Sequence, residues 1–369
     1  MKEVDLSHAF TLGEKLRVEA NMSESSDTGP EHEYFSSNPK PSALQRHSAL
    51  AEDFILHHVD EHRRVVLVTS GGTTVPLENQ MVRFVDNFSA GTRGATSAEY
   101  FLEAGYAVIF LHRQHSLLPY SRHYSHSTNC FLDFVHEDER GSVTVNSEYQ
   151  DQMARVWKEY NHARRSNMLL LIPFVTVNDY LWELRELAHL MRPLGSCALF
   201  YLAAAVSDFF IPSDRMVEHK IQSTEDFNQQ AGEMNDDQAN LPAARIEGKR
   251  LVIGLEPVPK FLKSLVDAWM PEGMIVSFKL ETDPALLVKK AEYALKRYSH
   301  HLVIGNLLAT RKWEVVFVSS PAGEKWIRVP RPTDGAALVG EPVSEIESLI
   351  IPEVASMHSQ HMKCGQRVA

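Results

Sequence analysis

The sequence predicts an α/β fold, a doubly wound and mostly parallel sheet with helices on both faces. Short apolar runs alternate with amphipathic helical segments, the first run ends in Ser-Gly-Gly, and 44% hydrophobic content over 369 residues suffices for one large core or two moderate ones. Ligands of such sheets bind beyond the carboxyl ends of the strands, so the functional motifs are expected at one edge.

Residues 1–45 mix Ser, Pro, Asn and charge, as in NMSESSDTGPEHEYFSSNPKPS, and are expected to form a mobile extension because they carry too little apolar surface to offset ordering entropy. That leaves 46–369 as a single α/β domain. RRVVLVTSGG reads as the first buried strand, feeding a loop at its carboxyl end. GTRGATSAEYFLEAGY then sets Ala95, Ala98, Phe101 and Leu102 at helical spacing, with Gly105 suited to a left-handed cap, and AVIFLH follows as the second strand. MLLLIP and CALFYLAAAV read as strands around a helix, VNDYLWELRELAHLM. MIVSFKL is a strand, DPALLVKKAEYALKRY a helix opened by Asp283 and Pro284, and HLVIGN a further strand. Two stretches break the rhythm, residues 113–165 and 212–250; both are expected to be loop excursions, the second partly disordered. The chain shows no internal repeat.

Composition excludes several function classes. The net charge of −11 is spread along the chain without a basic stripe, so nucleic acid is not an expected partner. Cys130, Cys197 and Cys364 form no C-x-x-C pair and no disulfide framework, which fits a reducing compartment. No apolar run is long enough to span a membrane, and the first residues lack a charged-then-apolar signal pattern. Glu3, Asp5, Glu14, Glu19 and Glu24 are unlike an acid-poor transit peptide, so a cytoplasmic location is expected. The run LHRQHSLLPYSRHYSH contains His112, His115, His123 and His126, but their irregular spacing and the want of nearby acidic or cysteine partners point to a solvated loop rather than a metal site.

The glycines carry more. A Rossmann-like dinucleotide site would place G-x-G-x-x-G directly after the first strand and an acidic residue near the end of the second. Here Ser70-Gly71-Gly72-Thr73 follows the first strand, Gly91 and Gly94 arrive about 20 residues later at a helix start, and the second strand ends in His112-Arg113. A nicotinamide- or flavin-linked oxidoreductase is therefore disfavoured. The glycines fit another purpose. Gly71 and Gly72 let backbone approach a ligand, while Ser89, Gly91 and Gly94 open a helix whose free N–H groups attract phosphate. The competing reading is that they only make tight turns and close packing.

VTSGGTTVPLE, VRFVDNFSAGTRGATSAEYFLEAGY, AAAVSDFFIP, EHKIQS, VPKFL, SFKLETDP and VIGNLL stand in one order from about residue 62 to about residue 320. Together they resemble the phosphopantothenate–cysteine ligase family, in its monofunctional eukaryotic form. The departures are the N-terminal extension, the long His-rich segment and an insertion after Ser223. The resemblance implies a ligase of coenzyme A biosynthesis. A nucleoside triphosphate activates the carboxylate of 4'-phosphopantothenate as an acyl-nucleotide, pyrophosphate leaves, and the amine of L-cysteine attacks the acyl carbon. Such chemistry needs positioning and positive charge rather than a nucleophilic side chain, and the sequence has no G-x-S-x-G elbow.

By the same resemblance Gly71, Ser89, Gly91 and Gly94 line the nucleotide phosphates, and Phe278 and Asn306 bound the base and ribose. Asn87 is expected to donate to the acyl-nucleotide or the developing oxyanion, or else to cap the following helix. Lys220 in EHKIQS occupies the first lysine position of a K-I-K-K-like motif in bacterial relatives; here Gln222 and Ser223 replace the later lysines, so Lys220 would neutralise the triphosphate alone, unless it is only a solvated flap lysine. Ala204, Ala205 and Asp208 in AAAVSDFF would lie against phosphopantothenate, with Asp208 on a hydroxyl or on Mg2+. Arg83 in VRFVDNF resembles the family arginine that reaches the phosphopantothenate phosphate from the adjacent subunit, which implies a homodimer with shared active sites. ATP rather than CTP rests on likeness to the eukaryotic branch, since no residue visibly reads a purine amino group. A non-catalytic scaffold on this fold is the other alternative, and Asn87, Lys220 and Asp208 together speak against it.

Overall fold

The run Val65–Ser70 (β1) is buried at all six positions, so it needs strands on both edges and cover on both faces. A computed structural model of the chain describes residues 30–125, 130–222, 242–247, 250–320, 322–330 and 342–365 and supplies both. The other strands of the main sheet are β2 (Ala107–Arg113), β3 (Leu169–Phe174), β4 (Ala198–Leu202), β5 (Met274–Glu281), β6 (Leu302–Leu307), β7 (Glu314–Ser319) and β8 (Gly323–Arg328). Their spatial order is β8-β7-β6-β5-β4-β1-β2-β3. The pairs from β3 through β1 to β6 are parallel, and β7 and β8 add antiparallel at one edge. The chain therefore winds outward from β1 through β2 and β3, then returns to the other side of β1 as β4. That reversal opens a crevice between the carboxyl ends of β1 and β4, where doubly wound sheets bind ligands.

The helices are α1 (Pro30–Ser37), α2 (Leu44–Asp60), α3 (Thr92–Glu103), α4 (Ser147–Arg165), α5 (Val177–Leu190), α6 (Pro284–Tyr298) and α7 (Glu347–Gly365). Local chemistry starts two of them as the sequence predicts or better. Asp283 accepts from Ala285 N–H at 2.9 Å with Pro284 in the first turn of α6. Thr176 and Asp179 form a reciprocal capping box at the start of α5.

Three expectations change. Residues 30–45 are packed rather than loose: α1 inserts Tyr34 and Phe35 into a cluster of Phe210, Phe261, Trp182 and Trp269. The segment is poor in apolar residues on average, but two aromatic rings supply the burial that composition hides. Residues 1–29 lie outside the described residues. The stretch 113–165 ends in the 19-residue α4, which buries only Val156 and Ala163 and so shows little apolar periodicity. Within 212–250, Ala244–Glu247 pairs antiparallel with Arg250–Ile253, while residues 223–241 lie outside the described residues.

Candidate active site

Beyond the sheet, the chains leaving β1 and β4 stay hydrogen-bonded to each other. Ala204 N–H donates to Thr69 Oγ1 at 3.1 Å, Ala205 N–H to the Gly71 carbonyl at 2.8 Å, and Thr73 N–H to the Ala205 carbonyl at 3.0 Å. Ser207 N–H closes on Thr73 Oγ1 at 2.9 Å. The floor of the crevice is thus two hydrogen-bonded backbones carrying the small residues Gly71, Gly72, Ala204 and Ala205. Gly71 has a left-handed φ of 85°, and a Cβ there would stand 2.7 Å from the Cβ of Arg113.

The amino end of α3 rests against this floor. Gly91 takes the N-cap with φ 84° and no side-chain cap. Ser89 Oγ accepts from Gly91 N–H at 3.3 Å, and Ser70 Oγ donates to the Gly91 carbonyl at 3.0 Å. A Cβ on Gly94 would stand 2.5 Å from the Cβ of Ser70, so only glycine lets the first turn of α3 lie on the end of β1. Amides in that turn have no intrahelical acceptor, and the helix dipole adds attraction for an anion. Gly71, Ser89, Gly91 and Gly94 are therefore gathered at one corner, as the sequence predicts.

Asn87 is held beside them. Its N–H donates to the Thr73 carbonyl at 3.1 Å, its side chain is half-buried, and Gly91 rather than Asn87 caps α3, so the amide is not spent on capping. Asn87 follows a small hairpin in which Thr74–Pro76 pairs with Phe84–Asp86. The tip of that hairpin is organised by the last residue of VTSGGTTVPLE, to which the sequence alone assigns no role. Glu78 is fully buried and accepts from Arg83 N–H at 2.9 Å, from the Arg83 guanidinium at 2.9 Å and from Ile221 N–H at 3.3 Å. Burial pushes its carboxyl up, but those donors outweigh it and hold the group below the usual carboxylate range. Arg83 also donates to the Ile221 carbonyl at 3.0 Å, and Asn79 N–H donates to the Val217 carbonyl at 2.9 Å. The segment bearing exposed Lys220 is thus stapled to the hairpin that leads to Asn87. Ser223 lies outside the described residues.

Phe278 and Asn306 stand on β5 and β6 toward their carboxyl ends. The Phe278 ring packs edge-on to Tyr201, centroids 5.0 Å apart, and Ser97 Oγ of α3 donates to the Tyr201 hydroxyl at 3.0 Å. One buried tyrosine therefore ties the wall formed by Phe278 to the helix whose amino end faces the crevice. Asn306 is buried next along the sheet, opposite Leu280. Asp208 stands apart, 78% exposed and 3.4 Å from Lys260 Nζ. Among the described residues one group of three could hold a metal ion, His57, His58 and Glu61. It sits at the carboxyl end of α2, just before β1 begins, and so at the opposite edge of the sheet from the crevice. Among the described residues no such group lies in the crevice.

The His-rich run is less solvated than expected. His112 is buried on β2 and stacks on Phe110, with centroids 5.6 Å apart. His123 Nε2 lies 3.1 Å from Glu99, a carboxylate also bound by Arg122 at 2.7 Å. His126 lies outside the described residues.

No protein-family profile matches the chain. Individual relatives do. The chain is 47% identical over 363 residues to phosphopantothenate–cysteine ligase CAB2 of Saccharomyces cerevisiae, covering 96% of this chain and 92% of that one. It is 37% identical over 326 residues to the phosphopantothenate–cysteine ligase of Homo sapiens, covering 87% and 94%. A solved structure of a Cab2 mutant in complex with phosphopantothenate-cysteine superposes with a TM-score of 0.77 at 45% identity, covering 90% of this chain and 99% of that one. With identity of this extent along nearly the whole chain, the chain belongs to the phosphopantothenate–cysteine ligase family.

Proposed function

We propose that the chain joins 4'-phosphopantothenate to L-cysteine at the crevice between β1 and β4, with ATP as the activating nucleotide. The observation that carries the reading is the meeting of a backbone-lined floor, a glycine-opened helix end and the half-buried Asn87 in a chain of this family. The amino end of α3 and the Gly71 loop hold the phosphates; Phe278 and Asn306 bound the base and ribose. Asn87 donates to the activated acyl oxygen, where a well-placed donor is worth about 3 kcal/mol in the transition state. Lys220 supplies positive charge to the α-phosphorus from the flap. Mg2+, when bound, neutralises phosphate charge. Ala204 and Ala205 leave room for phosphopantothenate to lie on backbone.

The hairpin supports a homodimer. Met81, Val82, Phe84, Val85 and Phe88 are all exposed within eight residues, Phe88 at 87%, and a second copy of the chain would cover them. That contact would carry Arg83 toward the neighbouring crevice. Three free cysteines fit a reducing cytoplasm, and no helix among the described residues is long and apolar enough to cross a membrane. The oxidoreductase alternative fares worse. Where a dinucleotide enzyme needs a ribose-binding acid after its second strand, this chain has Arg113, paired to Asp86 at 2.6 Å.

The test is pyrophosphate release with 4'-phosphopantothenate and L-cysteine, comparing ATP with CTP. Release with ATP that depends on both acids supports the reading. Failure with both nucleotides in folded protein rejects it, and preference for CTP corrects the nucleotide alone.

A further inference from the structure

A separate polar cavity lies at the same edge of the sheet. Pro41 and Ala43 just before α2, Arg46 and His47 in its first turn, Phe174 at the end of β3 with Val175 beyond it, and Asp179 and Glu183 on α5 surround about 260 Å3. A space of that size admits a small organic molecule, since about 150 Å3 suffices for benzene.

Its inner wall contains a buried hydrogen-bonded pair with one atom left over. His47 and Glu183 are 3% and 2% exposed, with His47 Nδ1 2.6 Å from Glu183 Oε1. The Arg46 guanidinium, which can only donate, lies 3.3 Å from His47 Nε2. Nε2 is therefore the acceptor, the ring proton sits on Nδ1, and Nδ1–H donates to Glu183. The other carboxylate oxygen, Oε2, is buried without a partner. A buried carboxylate oxygen is costly to leave unpaired, and a ligand is one way to pair it. Asp179 lies one turn earlier on the same face of α5; its carboxylate accepts from Thr176 N–H at 2.9 Å and lines the cavity wall. At the rim the exposed guanidinium of Arg46 provides the opposite sign.

We propose that this cavity binds a small α-amino acid, its ammonium set against Glu183 Oε2 and Asp179 and its carboxylate against Arg46. The polarity runs from acid inside to base outside, which matches a zwitterion and neither a simple anion nor a simple cation. Without a ligand, burial pushes the Glu183 carboxyl up to about 8; an ammonium alongside would bring it down and keep it ionised. The cavity is also joined to the crevice. The Val175 carbonyl on its wall accepts from Thr74 N–H at 3.2 Å and from Thr74 Oγ1 at 2.9 Å, one residue from the Thr73 carbonyl that holds Asn87. The amino acid could come from two sources, the cysteine of the proposed reaction or a free amino acid acting from a second site. The binding claim is independent of the ligase reading.

The experiment is calorimetric titration of the full chain, without nucleotide or phosphopantothenate, with L-cysteine, 3-mercaptopropionate and cysteamine. Saturable binding of L-cysteine is expected, weaker by about tenfold or more for the analogue lacking the ammonium and for Glu183→Gln, since hydrogen bonds between charged partners are worth about 1.5–3 kcal/mol. Arg46→Ala, an exposed change that should not disturb folding, is expected to weaken L-cysteine and leave cysteamine unchanged. A raised KM for cysteine with kcat retained in Glu183→Gln identifies the co-substrate as occupant; an unchanged KM with the same loss of equilibrium binding identifies a second site. No saturable binding to folded protein, or equal binding by wild type, Glu183→Gln and Arg46→Ala, overturns the proposal, whether or not the chain releases pyrophosphate.

Discussion

Gly72→Ala offers the most direct test of how the crevice positions Asn87. Gly72 does not have a positive φ, so alanine is not excluded by backbone conformation; what the site lacks is space. A Cβ on Gly72 would overlap the Asn87 carbonyl oxygen, stand 2.8 Å from the carbonyl carbon and 3.3 Å from Ser89 N. Non-bonded carbons settle at about 3.5–4.0 Å, and the overlap with the carbonyl oxygen is deeper still, so Asn87 must retreat by more than about 1 Å. The obstacle is backbone, which cannot swing aside as a flexible side chain can. The same movement strains the bond from Asn87 N–H to the Thr73 carbonyl and disturbs Ser89 at the mouth of α3. Overpacking of this kind costs about 1–3 kcal/mol of stability, which a domain of this size can survive. A misplacement of about 1 Å in a positioning group costs about 100-fold in rate. We expect a folded protein, with a melting temperature a few degrees lower, whose pyrophosphate release with ATP, 4'-phosphopantothenate and cysteine falls about 100-fold, chiefly in kcat. Wild-type kcat in folded Gly72→Ala protein would refute the claim that Asn87 is held in catalytic register by its approach to Gly72.

Asn87→Ala is expected to keep its fold and lose about 100–1000-fold in kcat, measured as coupled amide formation, because the amide serves neither the core nor the helix cap. Lys220→Ala is expected to slow acyl-nucleotide formation in single turnovers while leaving phosphopantothenate binding near wild type; a normal burst of acyl-nucleotide would remove Lys220 from the first step. Stability is expected to fall as pH drops from about 6.5 toward 4: burial lowers His300 and His358 to about 4, so in that window the unfolded chain binds protons that the folded chain refuses. At pH 5 this should amount to about 1–2 kcal/mol per histidine, read as a lower urea midpoint than at pH 7; a flat profile would mean the two rings are not held neutral.

The parallel strands were legible because burial on both faces writes itself as continuous β-branched runs, and β1 and β2 are clear examples. The corner formed by Gly71, Ser89, Gly91 and Gly94 was legible because its glycines answer local steric demands at a strand end and a helix start. Elements whose signal is long-range were not. Nothing in PLENQ announces that the carboxylate of Glu78 is fully buried, because its partners include Ile221, 143 residues away. α7 keeps Pro352 inside its span, where a sequence reading expects a break. α1 is short and polar apart from two rings whose partners come from four other segments. The His47–Glu183 cavity likewise depends on residues 136 apart in sequence.

Arg83 has two duties that a single substitution confounds. Within its own chain it neutralises Glu78 and holds the Ile221 carbonyl, so Arg83→Ala leaves a buried carboxylate short of donors, costs about 1–3 kcal/mol, and loosens the segment that carries Lys220. Loss of activity in that variant would therefore not establish that Arg83 reaches a phosphate. Mixing separates the duties. Arg83→Ala and Asn87→Ala, each inactive alone, are combined and allowed to exchange subunits. If Arg83 acts across the dimer, each mixed dimer contains one crevice with an intact Asn87 from one chain and an intact Arg83 from the other, and its second crevice lacks both. With random exchange of equal amounts, about half of the dimers are mixed, so activity should recover to about a quarter of wild type. If instead the damage comes from the unpaired Glu78, it stays with the chain that also carries the intact Asn87, and no crevice is rescued. Recovery would show Arg83 acting across the dimer; demonstrated exchange without recovery would show that the damage stays with the chain that carries it, through Glu78, and a chain that sediments as a monomer at assay concentration would remove the shared site altogether.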